Sequence, residues 1–149
     1  MLLLDILDTK KTRIEKILKT TLNFLQTIQF INKGGCGYAS LVIQKTLKDY
    51  EIKSEIVYLY RSLDSAYMTN ESSLKTKGDK FSSCAHAVVK AGRYYIDSTG
   101  ILNVDEYFCK LVLTTEQVKL SLRNKSHWNE TFNRKENVPR LVEIFGIEI

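Results

Sequence analysis

The sequence predicts an α+β domain, and three observations carry that expectation. Apolar residues in the first third of the chain recur at helical spacing. β-branched and aromatic residues then gather in short runs, two of them around a tight Ala91-Gly92 turn. Capped helix starts return towards the C-terminal end. Helices first, with a small antiparallel sheet after them, is an α+β order. The 149 residues suit one core, so residues 1–149 are expected to form a single domain.

The first helix is expected over Thr9–Gln29. Ile14, Ile17, Leu18, Leu22, Phe24, Leu25 and Ile28 share one stripe, and lysines occupy the opposite face. Lys33-Gly34-Gly35 breaks the period. A second helix is expected from Cys36 to Asp49. Ala39, Leu41, Val42, Ile43 and Leu47 supply its buried side, and its early turns hold few polar residues, which places it centrally.

Ser54–Tyr60 reads as a strand. Arg61–Lys80 is polar and reads as a long loop. Cys84–Lys90 and Arg93–Asp97 read as two strands of a hairpin. Asn103-Val104-Asp105-Glu106 has the form of a helix start with acidic residues in its first turn. Thr114-Thr115-Glu116-Gln117 has the form of a capped start for a helix running to about Asn124. Pro139 precedes Arg140–Phe145, a short amphipathic helix or a terminal strand. The aromatics Tyr58, Tyr60, Tyr94 and Tyr95 alternate on strands and are expected in the core and at its rim.

Composition narrows the class of protein. Hydrophobic residues make up 44% and charged residues 26%, which is ordinary for a globular domain and unlike a disordered chain. No apolar run reaches the roughly 18–20 residues that span a bilayer. Met1-Leu2-Leu3-Leu4 is interrupted by Asp5 and Asp8 and lacks a basic leader, so no signal peptide is expected. The net charge of +5 is scattered and reads as a solvated surface. Three cysteines, Cys36, Cys84 and Cys109, have no paired spacing, which argues against a disulfide framework and suits a reducing cytoplasm. Without a CxxC pair and with two histidines, no metal site is expected. Three Asn-x-Ser/Thr triplets, beginning at Asn70, Asn124 and Asn129, carry no meaning without a secretory route.

One constellation points to chemistry. Gly34-Gly35-Cys36-Gly37-Tyr38-Ala39 puts a thiol at a helix start, where unpaired N–H groups and the helix dipole favour the thiolate. His86 opens the apolar run Ala87-Val88-Val89. Asp97 closes the next strand, in Tyr95-Ile96-Asp97-Ser98-Thr99-Gly100. A thiol needs a base to raise its thiolate fraction, and the base needs an orienting group. Cys36, His86 and Asp97 are the candidates, with His86 sharing a strand face with Val88. The Cys36 backbone N–H is a candidate oxyanion donor, with Gly35, Asn32 and Gln29 the nearby candidates for the substrate and oxyanion side. Asp97-Ser98-Thr99-Gly100 has a turn as its alternative reading, since Asp, Ser and Gly favour turns. His127 and Trp128 read as packing or surface residues.

These segments resemble the papain-like cysteine enzymes, and most closely the transglutaminase-like branch, with arylamine N-acetyltransferases as cousins. The resemblance runs over roughly Lys33–Gly100. It departs where Gly37 stands in place of an aromatic residue after the cysteine, and where Ala87-Val88 stands in place of a tryptophan after the histidine. It implies a papain-like fold, with N-terminal helices packed on a small antiparallel sheet and with C-terminal helices. It also implies a Cys36 nucleophile, a His86 base and an Asp97 orienter. The expected activity is cysteine-dependent hydrolysis or acyl transfer on an amide or thioester, with no cofactor. The expected partner is a protein or peptide substrate, or a small-molecule acyl donor, and neither a membrane nor nucleic acid. A second reading is a non-catalytic binding protein on the same scaffold that engages an acidic protein or a nucleic acid. A third is a DNA-binding helical module, marked by salt-sensitive retention on DNA.

Overall fold

A computed structural model describes residues 3–32, 34–61, 86–104, 108–124 and 132–149. Cys84, His127, Trp128 and the polar stretch from position 62 to 80 lie outside them. Four helices and a five-stranded antiparallel sheet are present among the described residues. The helices are α1 (Leu3–Leu25), α2 (Cys36–Asp49), α3 (Thr115–Asn124) and α4 (Arg134–Phe145). The strands are β1 (Glu55–Arg61), β2 (His86–Ala91), β3 (Tyr94–Asp97), β4 (Gly100–Leu102) and β5 (Phe108–Leu113). The sheet order is β4-β3-β2-β1-β5. No described helix is long and apolar enough to cross a membrane.

The second helix begins at Cys36 and ends at Asp49, as its glycine break and apolar pattern predict. It is the centre of the molecule. Tyr38, Ala39, Leu41, Val42, Ile43 and Leu47 are all buried. Ile14, Leu18 and Leu25 of α1 join the same core, as do Ile56 of β1, Val89 of β2 and Ile96 of β3. Alternation along β2 is clean: Val89 joins this core, while Val88 packs with Val57 and Leu59 in a second cluster on the other face.

Two tight connections set the register around β3. Ala91 pairs with Tyr94, so the turn is Gly92-Arg93, one residue later than expected, with Gly92 at φ +62°. Asp97 pairs with Gly100, so Ser98-Thr99 is a second two-residue turn. The first helix also differs from expectation, ending at Leu25 and giving way to turns.

The expected helix start at Asn103 is a correction. Asn103 and Val104 are not helical, and Phe108–Leu113 is a strand along β1, with Ile56 opposite Leu113 and Arg61 opposite Phe108. An edge strand needs only one apolar face, and here Lys110 and Val112 face outwards while Leu111 and Leu113 are half-buried. Asp105 and Glu106 lie outside the described residues. The cap at Thr114 is present and reciprocal. The Gln117 N–H donates to Thr114 Oγ1 at 3.1 Å, and the Thr114 N–H donates to Gln117 Oε1 at 2.8 Å. The C-terminal segment is a helix that starts well before Pro139, at Arg134, capped by the Asn133 side chain on the Glu136 N–H.

The two glycines before Cys36 have different jobs. Gly34 has φ +103°, a backbone region that favours glycine. Gly35 has an ordinary φ of −104° but no room for a side chain. A Cβ there would lie 2.7 Å from the Ile31 carbonyl oxygen and 2.9 Å from the Phe132 ring. Backbone and a packed ring cannot both give way. Gly35→Ala is therefore expected to destabilise the fold by about 1–3 kcal/mol, read from thermal or urea unfolding.

Candidate functional site

Cys36, His86 and Asp97 are brought to one place, and the local folding of each explains how. The N-cap of α2 is Gly35, which has no side chain to satisfy the first-turn N–H groups. The Gly37 N–H hydrogen-bonds the Cys36 thiol, and the Ala87 N–H of β2 does the same. Cys36 as a residue is half-buried. Gly37 also lets α3 approach. A Cβ there would lie 2.8 Å from Leu122 Cδ2, so this glycine makes space for a neighbouring helix.

His86 is the first residue of β2, at the end of the sheet. Val89 pairs with Ile96, and continuing that register sets Val88 opposite Asp97. His86 is then one diagonal step from Asp97 on the same face, within reach of a long or aromatic side chain. The contact is made: His86 Nε2 lies 2.9 Å from Asp97 Oδ2. With Nε2 held there, Nδ1 is the ring nitrogen left for the sulfur, and the Cys36 thiol hydrogen-bonds this ring.

The two carboxylate oxygens of Asp97 have separate partners. Oδ2 takes His86, and Oδ1 accepts from the Thr99 N–H at 2.7 Å and from the Thr99 hydroxyl. The second pair is an Asx-type turn. The two readings of Asp97-Ser98-Thr99-Gly100 are thus compatible, because the turn is what fixes the carboxylate against the histidine. Gln26, just after α1, donates to the Ser98 carbonyl at 2.9 Å and ties the first helix to this turn.

The electrostatics follow from these contacts. Burial pushes the Cys36 thiol up. The His86 hydrogen bond and charge, with the Ala87 and Gly37 N–H groups, more than offset it, so the thiol sits below its ordinary value. Burial pushes His86 down, but Asp97 and the Cys36 thiolate outweigh it and raise the ring to about 10. Burial pushes Asp97 up, and His86 with both Thr99 donors bring it below the carboxylate range. A carboxylate depressed in the folded state contributes stability that is present above its unfolded value and lost as pH falls through the folded one. Between the Cys36 and His86 values the resting pair is thiolate and imidazolium.

Two side chains that sequence reasoning did not single out for the site belong beside it. Tyr58 of β1 pairs with Ala87 and is buried. Burial and the Cys36 charge raise its hydroxyl to about 12, against the lowering effect of a hydrogen bond with Ser121. It therefore remains a neutral hydroxyl near the thiolate. Nothing in a run of alternating aromatics marked Tyr58 from its neighbours. Thr99 had a signal, the Asp-x-Thr spacing of an Asx turn.

The other candidates fall as follows. Asn32 is half-buried in the turn before Cys36, and its Oδ1 is buried without a hydrogen-bond partner. Gly35 is buried, and its carbonyl accepts from the Ala39 N–H at 2.9 Å, so it caps and packs the helix. Gln29 is exposed. Among the described residues, no three His, Cys, Asp or Glu side chains are grouped to hold a metal ion.

Geometry defines the site as a Cys–His–Asp chain at the junction of a helix N-terminus and an antiparallel sheet. In comparisons with known protein families, curated proteins and solved structures, no significant match to this chain was found.

Proposed function

We propose that this chain is a cysteine-dependent hydrolase or acyltransferase of the papain-like, transglutaminase-like type, acting on an amide or thioester of a protein, a peptide or a small acyl donor. One observation carries the reading: His86 joins the Cys36 thiol by one side of its ring and the Asp97 carboxylate, at 2.9 Å, by the other. A structural cysteine needs no such base, and a binding surface needs no depressed thiol.

The steps follow from the groups present. The Cys36 thiolate attacks the carbonyl carbon and forms a C–S bond, while the carbonyl oxygen takes the negative charge. The uncapped α2 N-terminus, with the Cys36 N–H, faces that oxygen. Asn32 is the candidate second donor, since it lies half-buried in the turn before Cys36. Collapse breaks the C–N or C–S bond, and His86 gives its proton to the leaving group. Water or an amine then attacks the thioester, gives its proton to His86, and releases the Cys36 thiolate. Asp97 keeps the ring oriented and supports its positive charge throughout.

Acyl-enzyme capture tests the reading. After brief exposure to p-nitrophenyl acetate, peptide mass spectrometry is expected to find one acetyl group on Cys36, with a burst of nitrophenol equal to the enzyme present. An acetyl group spread over lysines, with Cys36 unmodified, would contradict it. Asn32→Ala is expected to slow steady-state release by about 10²-fold with unfolding unchanged, the loss typical of an oxyanion donor. An unchanged rate would exclude Asn32 from that role.

A further inference from the structure

A cavity of about 1110 Å³ opens at the other end of α2 from the thiol. At 1.5 Å per residue, Gln44 and Lys48, which line it, stand about 12 and 18 Å along the helix from Cys36. The cavity is therefore distinct from the thiol site.

Its lining is basic. Lys45 and Lys48 come from α2, Lys53 from the link to β1, Lys90 from β2 and Lys119 from α3. Lys45 is engaged with Asp49 at 2.9 Å. Lys48 and Lys53 make no ion pair among the described residues. Lys119 is the informative one. Its side chain is only 17% exposed, yet its carboxylate neighbour, Glu116, is 77% exposed and 3.8 Å away. That separation is beyond hydrogen-bond length, so the pair is a loose one and leaves the Lys119 ammonium able to take a second anion. Thr115, in the first turn of α3, lines the same wall and brings the positive end of that helix dipole.

The rest of the lining selects within anions. Leu41, Ile52 and Ile147 give an apolar floor that accepts a ring. Glu51, Glu55 and Glu148 accept hydrogen bonds from hydroxyl or amino groups and repel a bare polyanion. Glu51 is at φ +60° because it closes the C-terminal end of α2, where the Glu51 and Ile52 N–H groups bond back to the Lys48 and Leu47 carbonyls, and this cap sets it at the cavity.

We propose that this cavity binds a small phosphorylated molecule that also carries a ring and hydrogen-bond donors, of the nucleotide class, at a site separate from Cys36. Phosphate oxygens meet Lys119, Lys48 and Lys53, the ring lies on the apolar floor, and the carboxylates accept from its donors.

Calorimetric titration of the full chain with ATP, inorganic pyrophosphate and adenosine tests this. ATP is expected to bind saturably at one site, with pyrophosphate and adenosine at least tenfold weaker. Lys119→Met, and separately the double change Lys48→Ala with Lys53→Ala at exposed positions, are each expected to weaken ATP by tenfold or more. Circular dichroism confirms that each variant is folded. Cys36→Ala is expected to bind ATP as the parent chain does. Absence of saturable ATP binding, or wild-type affinity in the folded lysine variants, overturns the proposal. Adenosine binding as tightly as ATP, or loss of ATP binding in Cys36→Ala, overturns it equally.

Discussion

Cys36→Ala is expected to reduce acyl release from p-nitrophenyl acetate to the level of the buffer, a loss of about 10⁴-fold or more, while unfolding stays close to that of the parent chain. The expected rate effect is large because the group proposed to form the covalent bond is gone, and members of such a unit are not additive. The stability effect is small because the residue is only half-buried and Asp97 still holds His86 at 2.9 Å. His86→Ala is expected to be nearly as damaging, since the depressed thiol depends on that ring. Asp97→Asn is expected to cost less, because Thr99 still fixes the side chain in its turn. Cys36→Ala protein that released nitrophenol at the parent rate would remove the thiol from the proposed mechanism.

Phe132→Ala is expected to be the most destabilising single change described in these residues, by about 3–5 kcal/mol. Its ring is fully buried, stacks on Tyr38 with centroids 5.5 Å apart, and fills the space over Gly35. The cavity left behind would border the first turn of α2. Backbone atoms of Gly35 and the helix dipole cannot move in to fill it without disturbing Cys36. For a chain of this length the loss corresponds to a melting temperature lower by about 10–15 °C. The same variant is expected to lose part of the low-pH reactivity of Cys36 even where it is folded, because the N–H groups at the thiol are no longer held. Calorimetric melting with thiol labelling on the same sample reads both effects. A melting temperature within a degree or two of the parent's would mean that the ring is not packed as described.

How far these features can be read without coordinates depends on the range of the interactions. The α2 boundaries were legible because Gly34-Gly35 and the apolar pattern are local signals, and the helix is Cys36–Asp49. The grouping of Cys36, His86 and Asp97 was legible as a pattern of residue types on a helix start and two later strands, and the structure brings the three together, with His86 2.9 Å from Asp97. Strand β5 was not legible. Its six residues carry an apolar run short enough for either period, and its pairing with β1 is decided by tertiary contact, with Val57 opposite Val112. The role of Gly35 was hidden for the same reason, because its neighbour Phe132 is almost a hundred positions away. The lysine-lined cavity draws on α2, β2, α3 and the C-terminal segment, and scattered lysines in a sequence look like ordinary surface.

The central claim is that Cys36 and His86 rest as a thiolate–imidazolium pair, the thiol below its ordinary value and the ring raised to about 10. Site-resolved alkylation by iodoacetamide, followed by mass spectrometry from pH 6 to 8, tests it most directly, with the Cys84 and Cys109 peptides as internal references. An ordinary thiol gains roughly 80-fold in thiolate over that range, from a reference pKa of about 8.5. Cys36 is expected to react fastest at pH 6 and to change far less. Its thiol lies below the ordinary value and the ring beside it is raised to about 10, so more thiolate is present at the low end of the range. A Cys36 rate that climbs in parallel with Cys84 and Cys109, from an equally low start at pH 6, would contradict the ion pair and the chemistry built on it.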